Sequence, residues 1–220
     1  MATLRRQRIG IWIIAVVMVI GTIGSFAVMI LANQNSSADQ AKLNELTAKY
    51  EKDTEEYKKK VEAQAAELST QYFAEFNQYK TRPGTFNKDE VKSLKTEDLK
   101  QGSGEALGGE TTFTAYYIGW MPDGKVFDTS IANERLEPPI TATPGGVISG
   151  WTKGVEGMKI GGARELTIPA EEAYGETGSG NDIPPNTPLR FVIMVIPTPE
   201  QIPQPEMPDE LLKYYTTGKF

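Results

Sequence analysis

The 220-residue chain has no cysteine and no histidine. The first absence excludes a disulfide framework and thiol catalysis. The second removes the usual nitrogen ligands of zinc and any mechanism built on a His general base. Lack of cysteine fits an oxidising compartment without requiring one. Basic charge is also scarce beyond the N-terminus. Arg5, Arg6 and Arg8 are the only charged side chains before Asp39; of 23 Lys and Arg, the remaining 20 stand against 29 Asp and Glu, a net charge of −9. So acidic a remainder argues against a nucleic-acid partner, whose phosphates need a basic footprint, and would keep off an anionic lipid surface.

Only one apolar run is long. Ile9 to Ala32 carries Gly, Thr and Ser as its sole polar interruptions. As a helix it would extend roughly 36 Å, enough to cross a bilayer with some tilt. A cleaved signal peptide is the competing reading. Its apolar region is usually about 7–15 residues, however, and Ile30-Leu31-Ala32 is a poor cleavage site. The expectation is a single-pass anchor over residues 1–35, with the arginines holding the N-terminus in the cytoplasm and everything after Ala32 outside. Gly21 and Ser25 form a small-xxx-small pair of the kind that packs two such helices.

Residues 36–82 read as a long helix entered from Ser36 or Ser37. Leu43, Leu46, Tyr50, Tyr57, Val61, Ala65, Leu68, Tyr72, Phe76 and Tyr79 recur every three or four positions as one stripe. Glu51/Glu55/Lys59 and Glu56/Lys60 supply i,i+4 neighbours elsewhere on it. Two readings stand side by side over about 38–80: a solvated stalk, or a coiled coil that self-associates or takes another partner. Arg82-Pro83-Gly84 ends the helix, and residues 83–198 change to short β-like runs between Gly and Pro. Phe113, Ala115 and Tyr117 alternate onto one face; Pro122-Asp123-Gly124 marks a turn into Val126-Phe127; Ala163 to Ile168 alternates again; Leu189 to Ile196 is nearly all apolar. The stretch around Gly150 to Val155 has room for one short helix. The fold class is therefore α+β, a curved antiparallel sheet around a short helix, preceded by the anchor and the helical stalk. Residues 199–220 form a proline-rich tail with a short helix starting on Pro208, either loose or docked.

Several motifs occur in order between Lys92 and Ile196: Tyr117-Ile118-Gly119-Trp120, Asp123-Gly124-Lys125-Val126-Phe127-Asp128-Thr129-Ser130 and Gly146-Val147-Ile148-Ser149-Gly150-Trp151. Val155-Glu156-Gly157-Met158, Ala173-Tyr174-Gly175, Ile183-Pro184-Pro185-Asn186 and Phe191 follow. In these motifs, their order and their spacing, the second half of the chain resembles the FKBP-type peptidyl-prolyl cis-trans isomerases. The resemblance implies an enzyme that rotates X-Pro bonds with no metal and no cofactor, and whose partners are proline-containing, unfolded or extended polypeptides. It implies Trp151 as the floor under the substrate proline, with Tyr117, Phe127, Val147, Ile148, Phe191 and Ile140 around it. The Ile148 N–H and the Tyr174 hydroxyl would hold substrate carbonyls, Asp128 would sit at the pocket edge bonded to a tyrosine, and Ile183 would close one side.

Taken singly, Trp151, Val147 and Phe191 also suit the core of a small barrel-like sheet, and Tyr117 and Tyr174 suit buried tyrosines with one satisfied hydroxyl. Asp128 fits a core least well, because a carboxylate beside Phe127 is costly to bury alone. The chain departs from the family pattern at Pro139-Ile140-Thr141-Ala142, where two aromatic rings are usual, and at Asp182, where an apolar residue is common. Asp182 would favour substrates with a positive charge near the proline. The expected function is isomerisation during protein folding outside the membrane. The alternative is a binding module for proline-containing segments, weakly catalytic or not at all.

Overall fold

The computed structural model of the chain describes residues 37–218. The expected anchor, Ile9 to Ala32, and its Gly21/Ser25 pair lie outside them. Among the described residues no helix is long and apolar enough to cross a membrane. The chain forms two compact units, one reaching to Gln64 and including Gln201 onward, the other Ala65–Glu200. The dividing point falls inside the long helix, upstream of the Arg82-Pro83-Gly84 break.

That helix, α1 (Ser37–Asn77), runs on into a 3-10 turn at Gln78–Thr81 and stops at the expected place. The following elements are β1 (Lys95–Lys100), β2 (Phe113–Trp120), β3 (Val126–Thr129), β4 (Ile131–Ala132), β5 (Arg135–Leu136), β6 (Ile140–Ala142), α2 (Ser149–Gly154), β7 (Ala163–Ile168), β8 (Leu189–Ile196) and α3 (Asp209–Thr217). The main sheet runs β1-β7-β8-β2-β3, with β6 also on β2, and its pairs are antiparallel. β3 and β6 share one edge of β2: Ile118–Trp120 faces β3 and Phe113–Ala115 faces β6. Between them the chain makes the small β4–β5 hairpin.

Strand alternation sends the central residues to two faces, and both are buried. On one face Phe113, Ala115 and Tyr117 of β2, Leu166 and Ile168 of β7, and Leu189, Phe191, Ile193 and Val195 of β8 enclose Trp151 of α2. This is the sheet curved on a short helix that the sequence leads one to expect. On the other face Tyr116, Ile118, Trp120, Val192, Met194 and Ile196 meet Phe76 and Tyr79, with Leu68 and Tyr72 packed alongside. Residues predicted to be solvated stalk or coiled coil are thus part of a second core. Being buried on both faces accounts for the near-continuous apolar run in β8. Arg82 fastens this end of the helical segment: its Nη2 lies 2.6 Å from Glu165 Oε2 and 3.1 Å from Glu97 Oε2. Arg82, together with Arg190 Nη1 3.7 Å from Glu165 Oε1, makes a buried Glu165 tolerable on a strand.

In the other unit the tail returns to α1. Leu211 and Tyr214 are buried against Leu43, with Leu46, Tyr50, Met207 and Tyr215 packed around them. Lys42 Nζ donates to Glu210 Oε1 at 2.8 Å. α3 starts after Pro208 as expected and ends where Gly218, at φ 71°, donates its N–H to Tyr214 O. The stripe on α1 is therefore covered at both ends by the chain itself.

Candidate active site

α2 has six residues, and its value to the site is the placement of one ring. Trp151 is 4 % exposed, held across the concave face of the sheet. Tyr117 and Phe191, neighbours on β2 and β8, meet it edge-on, each with a ring centroid 5.2 Å away. Phe113 lies 6.5 Å off on the same face. Phe127 stands perpendicular to Phe191 at 5.6 Å. Such edge-to-face pairs each contribute about 0.5–1.5 kcal/mol beyond area burial, and they fix ring orientation as well. Gly119 makes the arrangement possible, since a Cβ there would lie 2.6 Å from the Phe191 ring and 2.7 Å from that of Phe127.

Phe127 and Asp128 are consecutive, so regular alternation would put them on opposite faces. A bulge brings both to the site. Gly119 pairs with Asp128 while Trp120 pairs with Val126, leaving Phe127 as the extra residue. Asp128 Oδ2 then accepts the Tyr117 hydroxyl at 2.5 Å. Burial pushes the Asp128 carboxyl up to about 7, nearby Glu137 adds in the same direction, and the Thr129 backbone N–H pulls the other way. Ser130 supports the pair from behind: the Tyr117 N–H donates to its Oγ at 2.9 Å, and its own N–H donates to Tyr117 O at 2.8 Å.

The remaining expected residues gather at the same place. Ile183 is buried in the Trp151 cluster, and Ile140, Val147, Ile148 and Tyr174 pack against it half-buried. Ile148 sits just before α2, its C=O accepting the Trp151 N–H at 3.0 Å. Its own N–H takes no protein acceptor among the described residues, as befits the orphan donors at a helix start. All ten residues singled out in the sequence thus gather in or against one buried cluster, Asp128 through its bond with Tyr117.

Residues 104–196 match the family model for the FKBP-type peptidyl-prolyl cis-trans isomerase. An "FK506-binding protein" of Neisseria meningitidis serogroup A is 45 % identical over 106 residues, 47 % of this chain and 94 % of that protein. The chain belongs to the FKBP-type peptidyl-prolyl cis-trans isomerases. "FK506-binding protein 4" of Dictyostelium discoideum is 43 % identical over 105 residues, 47 % of this chain and 28 % of its own. Among solved structures, a peptidyl-prolyl cis-trans isomerase from Pseudomonas syringae pv. tomato is 31 % identical, covering 63 % of this chain and 96 % of that one with a TM-score of 0.43.

Within this FKBP-type site, the rim departure has a structural counterpart. Ala142 is buried opposite Phe113 in the β2–β6 pairing and Ile140 stands opposite Ala115, so smaller side chains occupy the place of the two missing rings. Sequence reasoning overlooked three contributors. Phe113 was detectable, because it shares the Tyr117 face by alternation. Ser130 was legible only as the end of the Asp123–Ser130 motif, without a role, and Glu137 carried no signal of its own; they matter through the fold of the 130–139 segment, in which the Glu137 N–H donates to Ser130 O at 2.9 Å.

Proposed function

We propose that this chain accelerates cis/trans rotation of X-Pro bonds in polypeptides folding outside the membrane, tethered there by residues 1–35. The observation that carries the reading is the aromatic enclosure of Trp151 by Tyr117 and Phe191, with Asp128 bonded to Tyr117 at its edge. Rotation about the bond breaks amide resonance against a barrier of about 18–20 kcal/mol. The twisted amide separates less charge than the planar one, so an apolar, water-poor pocket favours it over the ground state. Each 1.36 kcal/mol of that preference is about tenfold in rate. Trp151 lies under the proline ring, Phe127, Val147, Ile183 and Ile140 bound it, and the Ile148 N–H and Tyr174 hydroxyl hold the flanking carbonyls. This chemistry requires no nucleophile. Near the site of chain emergence such an enzyme would meet substrates while slow prolines still limit folding.

A protease-coupled peptide assay tests the catalytic claim. Turnover well above background that falls at least tenfold in Asp128→Ala and Tyr174→Phe supports it. No rate above background favours the binding module, a reading to which the missing rim rings at Ile140 and Ala142 lend support. Protease protection in membrane fractions tests the tether, with cleavage of the 83–198 region from the cytoplasmic side counting against it.

A further inference from the structure

The two groups proposed to hold the substrate backbone come from different elements. Ile148 precedes α2, and Tyr174 follows β7 after a 3-10 turn at Ala170–Glu172. Their spacing depends on how those elements are joined, and Glu172 is where they meet. Its backbone carbonyl accepts the Ser149 hydroxyl at 3.4 Å. Its Oε1 lies 3.2 Å from Lys153 Nζ, one turn along α2. Gly150 brings the helix close, since a Cβ there would lie 3.1 Å from the Glu172 carbonyl oxygen and 2.3 Å from Ile168 Cγ2. The turn itself is held by the N–H groups of Ala173 and Gly175, which both donate to Ala170 O, at 3.0 and 2.8 Å. The second carboxylate oxygen of Glu172, Oε2, is buried without a hydrogen-bond partner. Such an oxygen is costly to retain, so it marks a carboxylate placed by its surroundings and not by solvation.

We infer that Glu172 is a positioning residue: its pairing with Lys153 locks α2 to the Tyr174 turn and so sets the distance between the two groups that hold the substrate. The inference rests on the roles proposed above for Ile148 and Tyr174. Lys153 is 58 % exposed, so the pair adds little to stability. Its effect falls on geometry, and hence on KM.

The test uses the full chain and an Xaa-Pro peptide. Lys153→Glu sets two carboxylates against each other and raises KM about fivefold to tenfold, with kcat within about twofold and Tm shifted by only a few degrees. The reversed pair, Lys153→Glu with Glu172→Lys, recovers most of the loss. In a Tyr174→Phe background Lys153→Glu changes KM less than about twofold, because the group it acts through is gone. An unchanged KM in Lys153→Glu, an undiminished effect in Tyr174→Phe, or a reversed pair no better than either single variant overturns the inference. If the wild type shows no turnover, the proposed catalysis fails separately. Peptide Kd by calorimetry then takes the place of KM, with the same three comparisons deciding.

Discussion

Asp128 is subject to opposed demands. The short bond from Tyr117 favours the carboxylate, as charge-assisted hydrogen bonds do. Burial is the larger influence, and with Glu137 it carries the carboxyl to about 7. A carboxyl raised above its unfolded value holds more protons folded than unfolded between pH ~4 and ~7, so over that range stability falls as pH rises. Its contribution is complete below about pH 4 and lost as pH passes through 7. Asp128→Asn should remove this slope. The Tm lost by the wild type between pH 5 and pH 8 should shrink by a few degrees in the variant, and equal losses would contradict the titration. Gly119 gives a second expectation. Gly119→Ala drives a methyl group into the Phe127 and Phe191 rings, an overpacking that costs about 1–3 kcal/mol. Chemical denaturation measures it, and peptide turnover should fall as the walls shift. Residue identities were legible in the sequence because the motifs are dense around Trp151. The bulge at Phe127 was not, since one inserted residue leaves no trace in an alternation only a few residues long.

At the level of elements, the periodic stripe on α1 reported that a face is buried without reporting by what. A 3.6-residue period is satisfied equally by a second helix, a sheet or a tail. The true partner of Phe76 and Tyr79 was encoded elsewhere, in the opposite-face residues Tyr116, Ile118 and Trp120 of β2. Of these, Ile118 and Trp120 read as part of a motif and so drew attention to the pocket. Phe76 is fully buried and meets the Tyr116 ring at 5.9 Å. Phe76→Ala should destabilise the Ala65–Glu200 unit by about 3–5 kcal/mol. Because Phe76 lies on the face of the sheet away from Trp151, KM for a peptide should stay within about twofold at temperatures where the variant remains folded. Denaturant unfolding followed by tryptophan fluorescence, together with the peptide assay, checks both parts. A midpoint unchanged from wild type would mean that the helical segment is not part of that core.

For the whole molecule, the consequence is that the tail and the first part of α1 belong together. Most of a helix's stability in a protein comes from packing of its apolar face, and for the residues before Gln64 that packing is with the tail. The Lys42–Glu210 pair is exposed on both sides and contributes little. The apolar contact carries the association: burying Leu211 and Tyr214 contributes roughly 1.5–3 kcal/mol each before the entropy of ordering the tail is subtracted. Deleting residues 201–220 should therefore uncover Leu43, Leu46 and Tyr50 with two distinguishable results. If the exposed stripe finds no partner, helical ellipticity falls by more than the nine residues of α3 account for. If it pairs with a second copy, ellipticity is kept and sedimentation reports a dimer, so the tail would be what prevents a coiled coil. In both cases turnover by the Ala65–Glu200 unit should be unchanged, because every residue of the proposed pocket lies within it. A monomer that loses only the share of α3 would show that the tail does not support α1.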